Sequence, residues 1–221
     1  MTAPARLREE LCALGRSLHQ RGYVHGTTGN ISARLEGDAG YLVTPTDACL
    51  GTLDPAALAH VGPDGSHRAG AVPSKSLVLH RAIYAADASA RCVLHTHSAH
   101  LVALTLAGVW SADDVLPPIT PYFVMKVGHV PLIAYRRPGD PAVGPAVAER
   151  IRAAAARGVP LRAVLLERLG PNVWHRSLGE ASAVLEELEE TARLWLMREP
   201  RPEPLGPERI EELNRAFGAC W

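Results

Sequence analysis

The chain has 221 residues, 47% of them hydrophobic, with 23 Lys and Arg balancing 23 Asp and Glu. A formal net charge of zero argues against a broad nucleic-acid footprint. No segment approaches the roughly 20 apolar residues of a membrane span, and the length suits a single domain with a substantial core. Residues 1–10 hold no apolar signal-peptide core, and Cys12, Cys49, Cys92 and Cys220 form no C-x-x-C pair, so the expectation is a cytoplasmic protein with reduced thiols.

Leu7, Leu11, Leu14 and Leu18 recur at helical spacing and predict an amphipathic first helix ended by Gly22. A loop of small residues follows at His25–Asn30. Asn30–Arg34 and Tyr41–Thr44 read as strands around a turn at Glu36–Asp38, and Leu58–Val61 as a further short strand before the Gly62–Gly65 turn. Ser74 is expected to cap a helix carrying Leu79, Ala82 and Ile83, which leads into a strand holding His95 and His97. Ser98 should cap a short helix running through Leu106. Beyond a proline-punctuated loop (Pro117, Pro118, Pro121), the pattern predicts a strand at Val130–Tyr135 and a helix at Pro141–Ala156. Strands at Ala163–Leu166 and Val173–Trp174 precede a long helix with Leu178, Ala181, Leu185, Leu188 and Ala192. Residues 200–207 are proline-rich and join a last helix with Ile210, Leu213 and Phe217. Strands and helices interleave without a regular βαβ rhythm, so the expected architecture is α/β, a single-domain αβα sandwich with a mainly antiparallel central sheet. Residues 1–199 form that domain, and residues 200–221 an arm expected to pack on a neighbouring subunit.

The stretch Val93-Leu94-His95-Thr96-His97-Ser98 carries the sharpest chemical signal. Residues i and i+2 of a strand share a face, so both imidazoles would project together and could hold one metal ion. They could equally be strand histidines satisfied by hydrogen bonds. A catalytic zinc usually takes three protein ligands and leaves one position open, so a third donor decides the matter. His25, Asp47 and Glu167 are the side chains that folding might bring near. The chain has only two lysines, Lys75 and Lys126. Lys75 sits at the mouth of a helix, where it either binds an anion beside the amide donors or is simply solvated. Tyr122 is either a phenol donating to a substrate oxygen or a packing residue.

Five segments occur in an ordered series: Gly29-Asn30-Ile31-Ser32, Thr44-Pro45-Thr46, Pro73-Ser74 with His80 on the same helix, His95-Thr96-His97-Ser98, and Pro138-Gly139-Asp140. Together they resemble the class II aldolase/adducin family over about residues 7–199. Ala48-Cys49-Leu50-Gly51, Pro121–Lys126 and Glu186–Ala192 are similar to its branch of 3-oxo-tetronate 4-phosphate decarboxylases. The resemblance implies a homotetramer with sites between subunits and a divalent metal on three histidines. Zinc is the first expectation, with manganese, iron or cobalt as alternatives. It also implies a glutamate that moves the proton and a loop that holds a substrate phosphate.

Three positions depart from that pattern. The family's third histidine falls at Leu169, its glutamate at Ser76, and a phosphate-loop glycine at Asp47. Leucine cannot ligate a metal, serine is a poor proton shuttle at neutral pH, and an aspartate repels a dianionic phosphate. The expectation is therefore a diverged carbon–carbon lyase acting on a small oxygenated carbonyl acid without phosphate, by decarboxylation, retro-aldol or enolate chemistry. Its residues would be His95 and His97 for metal, Lys75, Ser76 and Tyr122 for catalysis, and Gly29, Asn30, Thr46, Asp47 and Ser74 for substrate. The alternatives are a metal-free isomerase or cyclase using the same pocket, and a non-catalytic adducin-like module. The expected partners are a small-molecule substrate and further copies of the chain, with neither nucleic acid nor membrane.

Overall fold

The computed structural model describes residues 3–221; Met1 and Thr2, which begin the N-terminal segment, lie outside the described residues. Helix α1 spans Ala3–Gln20. Its leucine stripe works as the spacing requires: Leu11 and Leu18 are fully buried, while Leu7 and Leu14 pack at the core's margin. Strands β1 (Asn30–Arg34) and β2 (Tyr41–Val43) form the expected hairpin, and β3 is Ala59–Val61. Strand β4 (His67–Ala69) has no counterpart in the sequence pattern, because all three residues are exposed and leave no apolar alternation to detect.

Helix α2 is Leu77–Ala86 and strand β5 is Cys92–His95. His97 therefore lies just beyond the strand that the spacing assigned to it. Helix α3 is Ala99–Ala107, and a buried single turn of π-helix at Phe123–Val127 occupies a stretch the prolines mark as loop. Of the strand expected at Val130–Tyr135, only Leu132–Ile133 pairs, as β6. Helix α4 (Val143–Ala156), β7 (Ala163–Leu166), β8 (Gly170–His175), α5 (Leu178–Met197) and α6 (Pro207–Phe217) complete the chain.

The eight strands make one sheet in the order β4-β3-β2-β1-β5-β8-β7-β6. Every neighbouring pair is antiparallel except β6 with β7. One face carries Ile31, Ala33, Leu94, Leu165 and Val173 against buried residues of α1, α3 and α5. The other carries Val93, Val164 and Trp174 against Ile83 and Tyr84 of α2 and Val147 and Ile151 of α4. The α/β class and three-layer sandwich thus hold. No helix among the described residues is long and apolar enough to cross a membrane.

The C-terminal arm makes contacts with its own chain. Trp221 stacks on His129 with ring centroids 4.4 Å apart and meets Phe123 at 5.6 Å, and the Leu205 N–H donates to Pro118 O at 2.8 Å. No residue of α6 is buried, and Phe217 stays exposed.

Candidate active site

The site starts from register. Asn30 pairs with His95 across β1 and β5, and His95 pairs with Asn172 across β5 and β8. Directly opposed residues share a face of the sheet, so the three side chains form one polar row at the ends of three central strands. That face is the one packed by α2 and α4. Helix α2 adds the next layer: Asn30 Nδ2 donates to Ser76 Oγ at 3.1 Å. One strand period further in, Ser32 Oγ is 2.8 Å from both His80 Nδ1 and the Tyr84 hydroxyl. Ser76 and His80 are one helical turn apart, which is why both face β1.

A cavity of about 710 Å³ opens over this row. Gly29, Asn30, Thr46, Asp47, Ser74, Lys75, Ser76, His95 and Leu169 all line it, so the structure brings together most of the residues singled out from sequence. His97 and Tyr122 are the exceptions, since neither is among the lining residues; Tyr122 precedes the π-helical turn and is 61% exposed. Ser74 does not cap α2 directly, because the helix begins three residues later; its hydroxyl accepts the Ser76 N–H at 3.3 Å instead. Asp47 takes a left-handed φ of 55°, a conformation glycine favours and aspartate tolerates.

His95 is 6% exposed, and its Nδ1 sits 2.9 Å from the Pro171 carbonyl. A carbonyl only accepts, so Nδ1 carries the proton and Nε2 keeps its lone pair. Burial, reinforced by neighbouring His97, pushes the His95 imidazole down to about 4, against the opposing pull of the Pro171 carbonyl. Burial and then His95 push His80 down to about 3. His97 is also lowered, by burial and then by His25. The row is therefore neutral at pH 7. Asn30 Oδ1, Asn172 Oδ1 and His80 Nε2 are buried without a hydrogen-bond partner among the described residues, which costs about 1–3 kcal/mol each unless a ligand or water supplies one.

These imidazoles give stability a pH dependence. The unfolded chain binds protons on His80 and His95 below about pH 6.5, while the folded chain refuses them until about pH 3 and 4. Stability should therefore fall as pH drops through that window, by about 1.4 kcal/mol per pH unit for each histidine. Thermal melts between pH 7.5 and 4.5 check this: the slope should be shallower in His80→Asn, and a flat melting temperature would contradict it.

His95 and His97 come together as the sequence implies, with ring centroids 5.0 Å apart, and His25 approaches His97 at 6.3 Å. No group of three or more His, Cys, Asp or Glu side chains able to hold a metal ion forms among the described residues. Glu167 is occupied, its Oε2 accepting the Tyr135 N–H at 2.8 Å. Leu169, where the resemblance would put a third imidazole, stands half-buried in the cavity wall. The donors present thus do not fit a three-ligand centre, and neither His25, Asp47 nor Glu167 completes one. Protein purified without added metal should hold well under one equivalent by elemental analysis, and Leu169→His should raise that content by supplying the third donor. A full equivalent in the parent chain would overturn this reading of the donor set.

Sequence reasoning missed Asn172, Arg136 and Arg137 as lining residues. Asn172 had a signal, a lone carboxamide between Pro171 and the apolar Val173-Trp174. The two arginines lie on a loop whose path the pattern does not fix.

Comparison with known proteins identifies the family. The family described as Class II Aldolase and Adducin N-terminal domain matches residues 9–196. The 3-oxo-tetronate 4-phosphate decarboxylase of Cupriavidus necator is 58% identical over 226 residues, covering 100% of both chains. The protein of that name from Escherichia coli K12 is 42% identical over 89% of each. The crystal structure of YgbL from Escherichia coli, described as a candidate aldolase, epimerase or decarboxylase, matches with a TM-score of 0.85 and 39% identity, over 96% of this chain and 99% of that one. These relatives bear out the expectation of a carbon–carbon lyase. Their names specify a phosphorylated substrate, which overturns the expectation of a substrate without phosphate drawn from Asp47. The chain belongs to the class II aldolase/adducin family, closest to its 3-oxo-tetronate 4-phosphate decarboxylase branch.

Proposed function

We propose that the chain decarboxylates a 3-oxo-tetronate 4-phosphate. The observation that carries the reading is 58% identity, across the whole of both chains, to a decarboxylase of that name. The cavity is compatible with it, since Lys75, Arg136 and Arg137 line it and can meet an anionic substrate.

The substrate is a β-keto acid, and its chemistry sets the roles. The C1–C2 bond breaks, CO₂ leaves, and the electron pair passes through C2 onto the C3 oxygen as an enediolate. One proton delivered to C2 then gives dihydroxyacetone phosphate. Gly29, Asn30, Thr46, Asp47 and Ser74 position the substrate, and Lys75 stabilises the negative charge that moves to oxygen. His95, neutral with a free Nε2, accepts a substrate hydroxyl hydrogen and holds it in place. Ser76 completes the proton route as a hydroxyl already hydrogen-bonded to Asn30. The resemblance implies a divalent metal at His95 and His97, but the donor set does not fit a three-ligand centre. Lys75, Ser76 and His95 carry their roles by themselves, which favours a metal-free form of the same chemistry as the second reading.

The working molecule is a cytoplasmic homotetramer in this proposal. Tyr122, exposed and away from its own chain's cavity, would reach a substrate only across a subunit boundary, and α6 of the arm, which has no buried residue, is the surface proposed to meet such a neighbour. The test is a paired assay with freshly generated 3-oxo-tetronate 4-phosphate and its unphosphorylated counterpart. CO₂ and dihydroxyacetone phosphate should form one to one above the spontaneous rate, with the unphosphorylated acid at least about 100-fold poorer in kcat/KM. Phosphorylated acid decaying only at its spontaneous rate would refute the proposal.

A further inference from the structure

One buried polar residue of the site has no packing reason to be polar. Asn172 stands in β8 opposite Val164 of β7 and shares its face with Trp174, and both of these belong to the apolar layer under α2 and α4. Valine would suit that place in strand propensity and in packing. The chain instead sets a carboxamide there, 0% exposed, whose Oδ1 has no hydrogen-bond partner among the described residues. Asn172 borders the cavity from beneath. It lies too deep to touch a substrate, so it can act on one only through a neighbour.

That neighbour is His95. The two residues oppose each other across β5 and β8. Asn172 Nδ2 lies 3.3 Å from His95 Nδ1, the nitrogen that also meets the Pro171 carbonyl at 2.9 Å. Consecutive residues of one strand thus bracket a single ring nitrogen, one with its backbone and one with its side chain. A carbonyl only accepts, so Nδ1 carries the proton. Beside an N–H the oxygen is the end of an amide that fits, and the half-turn that brings it there also ends the isolation of Oδ1. One acceptor sets the distance of a ring N–H and leaves the ring free to tilt about that bond. A second acceptor, from another direction, fixes the ring plane as well. Both favour the tautomer that keeps the lone pair on Nε2.

We infer that Asn172 is a positioning residue for the reaction: together with the Pro171 carbonyl it holds the His95 imidazole in one plane and one tautomer, so that Nε2 is always the free nitrogen. This rests on the proposed role of His95 toward a substrate hydroxyl. It accounts for a carboxamide in an apolar layer, because a reacting group needs its supporting contacts fixed even where packing alone would favour a hydrocarbon.

The test separates positioning from packing with two variants of the full-length protein. Asn172→Val removes the carboxamide and keeps an apolar side chain of similar size; Asn172→Ala removes it and leaves a gap. In protein carrying ¹⁵N-labelled histidine, the His95 signals are assigned by their loss in His95→Gln. They should report a protonated Nδ1 and a bare Nε2 in the parent at about pH 7.5, and a mixture of the two tautomers in both variants. Turnover of the phosphorylated acid should fall at least about 30-fold in kcat in both, with KM within about threefold. Asn172→Val should melt no lower than the parent, because a buried carboxamide with one long hydrogen bond is exchanged for two packed methyl groups; Asn172→Ala should melt lower. An undisturbed Nδ1–H tautomer or a parent-like kcat in Asn172→Val overturns the assignment, and so does a melting temperature that falls in step with its activity. Tautomers that mix in the variants of a protein releasing no CO₂ support the positioning while refuting the decarboxylase reading.

Discussion

Replacing Gly170 with alanine should cost about 4 kcal/mol and at least about 100-fold in turnover. Gly170 opens β8 at a φ of +125°, and a Cβ there would stand 2.1 Å from Thr96 O and 3.3 Å from His97 Cα. Both neighbours are backbone, so no rotamer change relieves the clash. Either β8 retreats from the end of β5, taking the Pro171 carbonyl that orients His95, or the Thr96-His97 segment moves. Either motion breaks the Asn30–His95–Asn172 row. The melting temperature should drop by roughly 8–16 °C. Gly158→Ala is the control: its φ of +76° is strained for alanine, but nothing lies within 4 Å of the added carbon, so the cost should stay near about 1 kcal/mol. A Gly170→Ala protein that melts within about 2 °C of the parent and turns over normally would show that the β8 start does not lock the site.

Glu189→Ala should destabilise by about 4 kcal/mol. Glu189 is 5% exposed on α5, and its carboxylate accepts the His100 and Leu101 N–H groups at 2.9 and 3.1 Å and meets His100 Nδ1 at 2.8 Å. It does the capping of α3 that the sequence assigns to Ser98, whose hydroxyl is taken up by Thr96 Oγ1 at 2.7 Å. Truncation leaves two helix-end donors without acceptors in a buried place, where a negative charge also complements the helix dipole. Glu190→Gln next door breaks only an ion pair with Arg193 whose partners are 47% and 41% exposed, and should cost under about 1 kcal/mol. Equal melting temperatures for the two variants would contradict the capping role.

These two residues show where sequence reading succeeds and where it stops. The leucine stripe of α1 and the β1–β2 hairpin are legible because periodicity and turn chemistry are local. So is the gathering of Asn30, Ser74, Lys75, Ser76 and His95, because an ordered series of motifs fixes which strand ends meet. Glu189 is not legible as a cap, since its partners lie 88 and 89 residues away in sequence. The π-helical turn is hidden by Pro117, Pro118 and Pro121, which signal a loop while Phe123, Val124 and Val127 bury a face. The spacing places His97 in a strand that ends at His95, yet its ring still reaches His95, because the chain bends before α3. Asp47 argues against a phosphorylated substrate such as the relatives' names specify, but the charge of one loop residue says nothing of Lys75, Arg136 and Arg137, which folding sets around the same cavity.

The most direct measurement of the central claim, that this pocket holds and protonates the enediolate, is decarboxylation of 3-oxo-tetronate 4-phosphate in D₂O. The dihydroxyacetone phosphate formed should carry one deuterium at the new hydroxymethyl carbon in a single configuration, and both rate and stereochemistry should be lost in His95→Ala. Product labelled equally in both configurations, released no faster than from the free acid, would contradict the account.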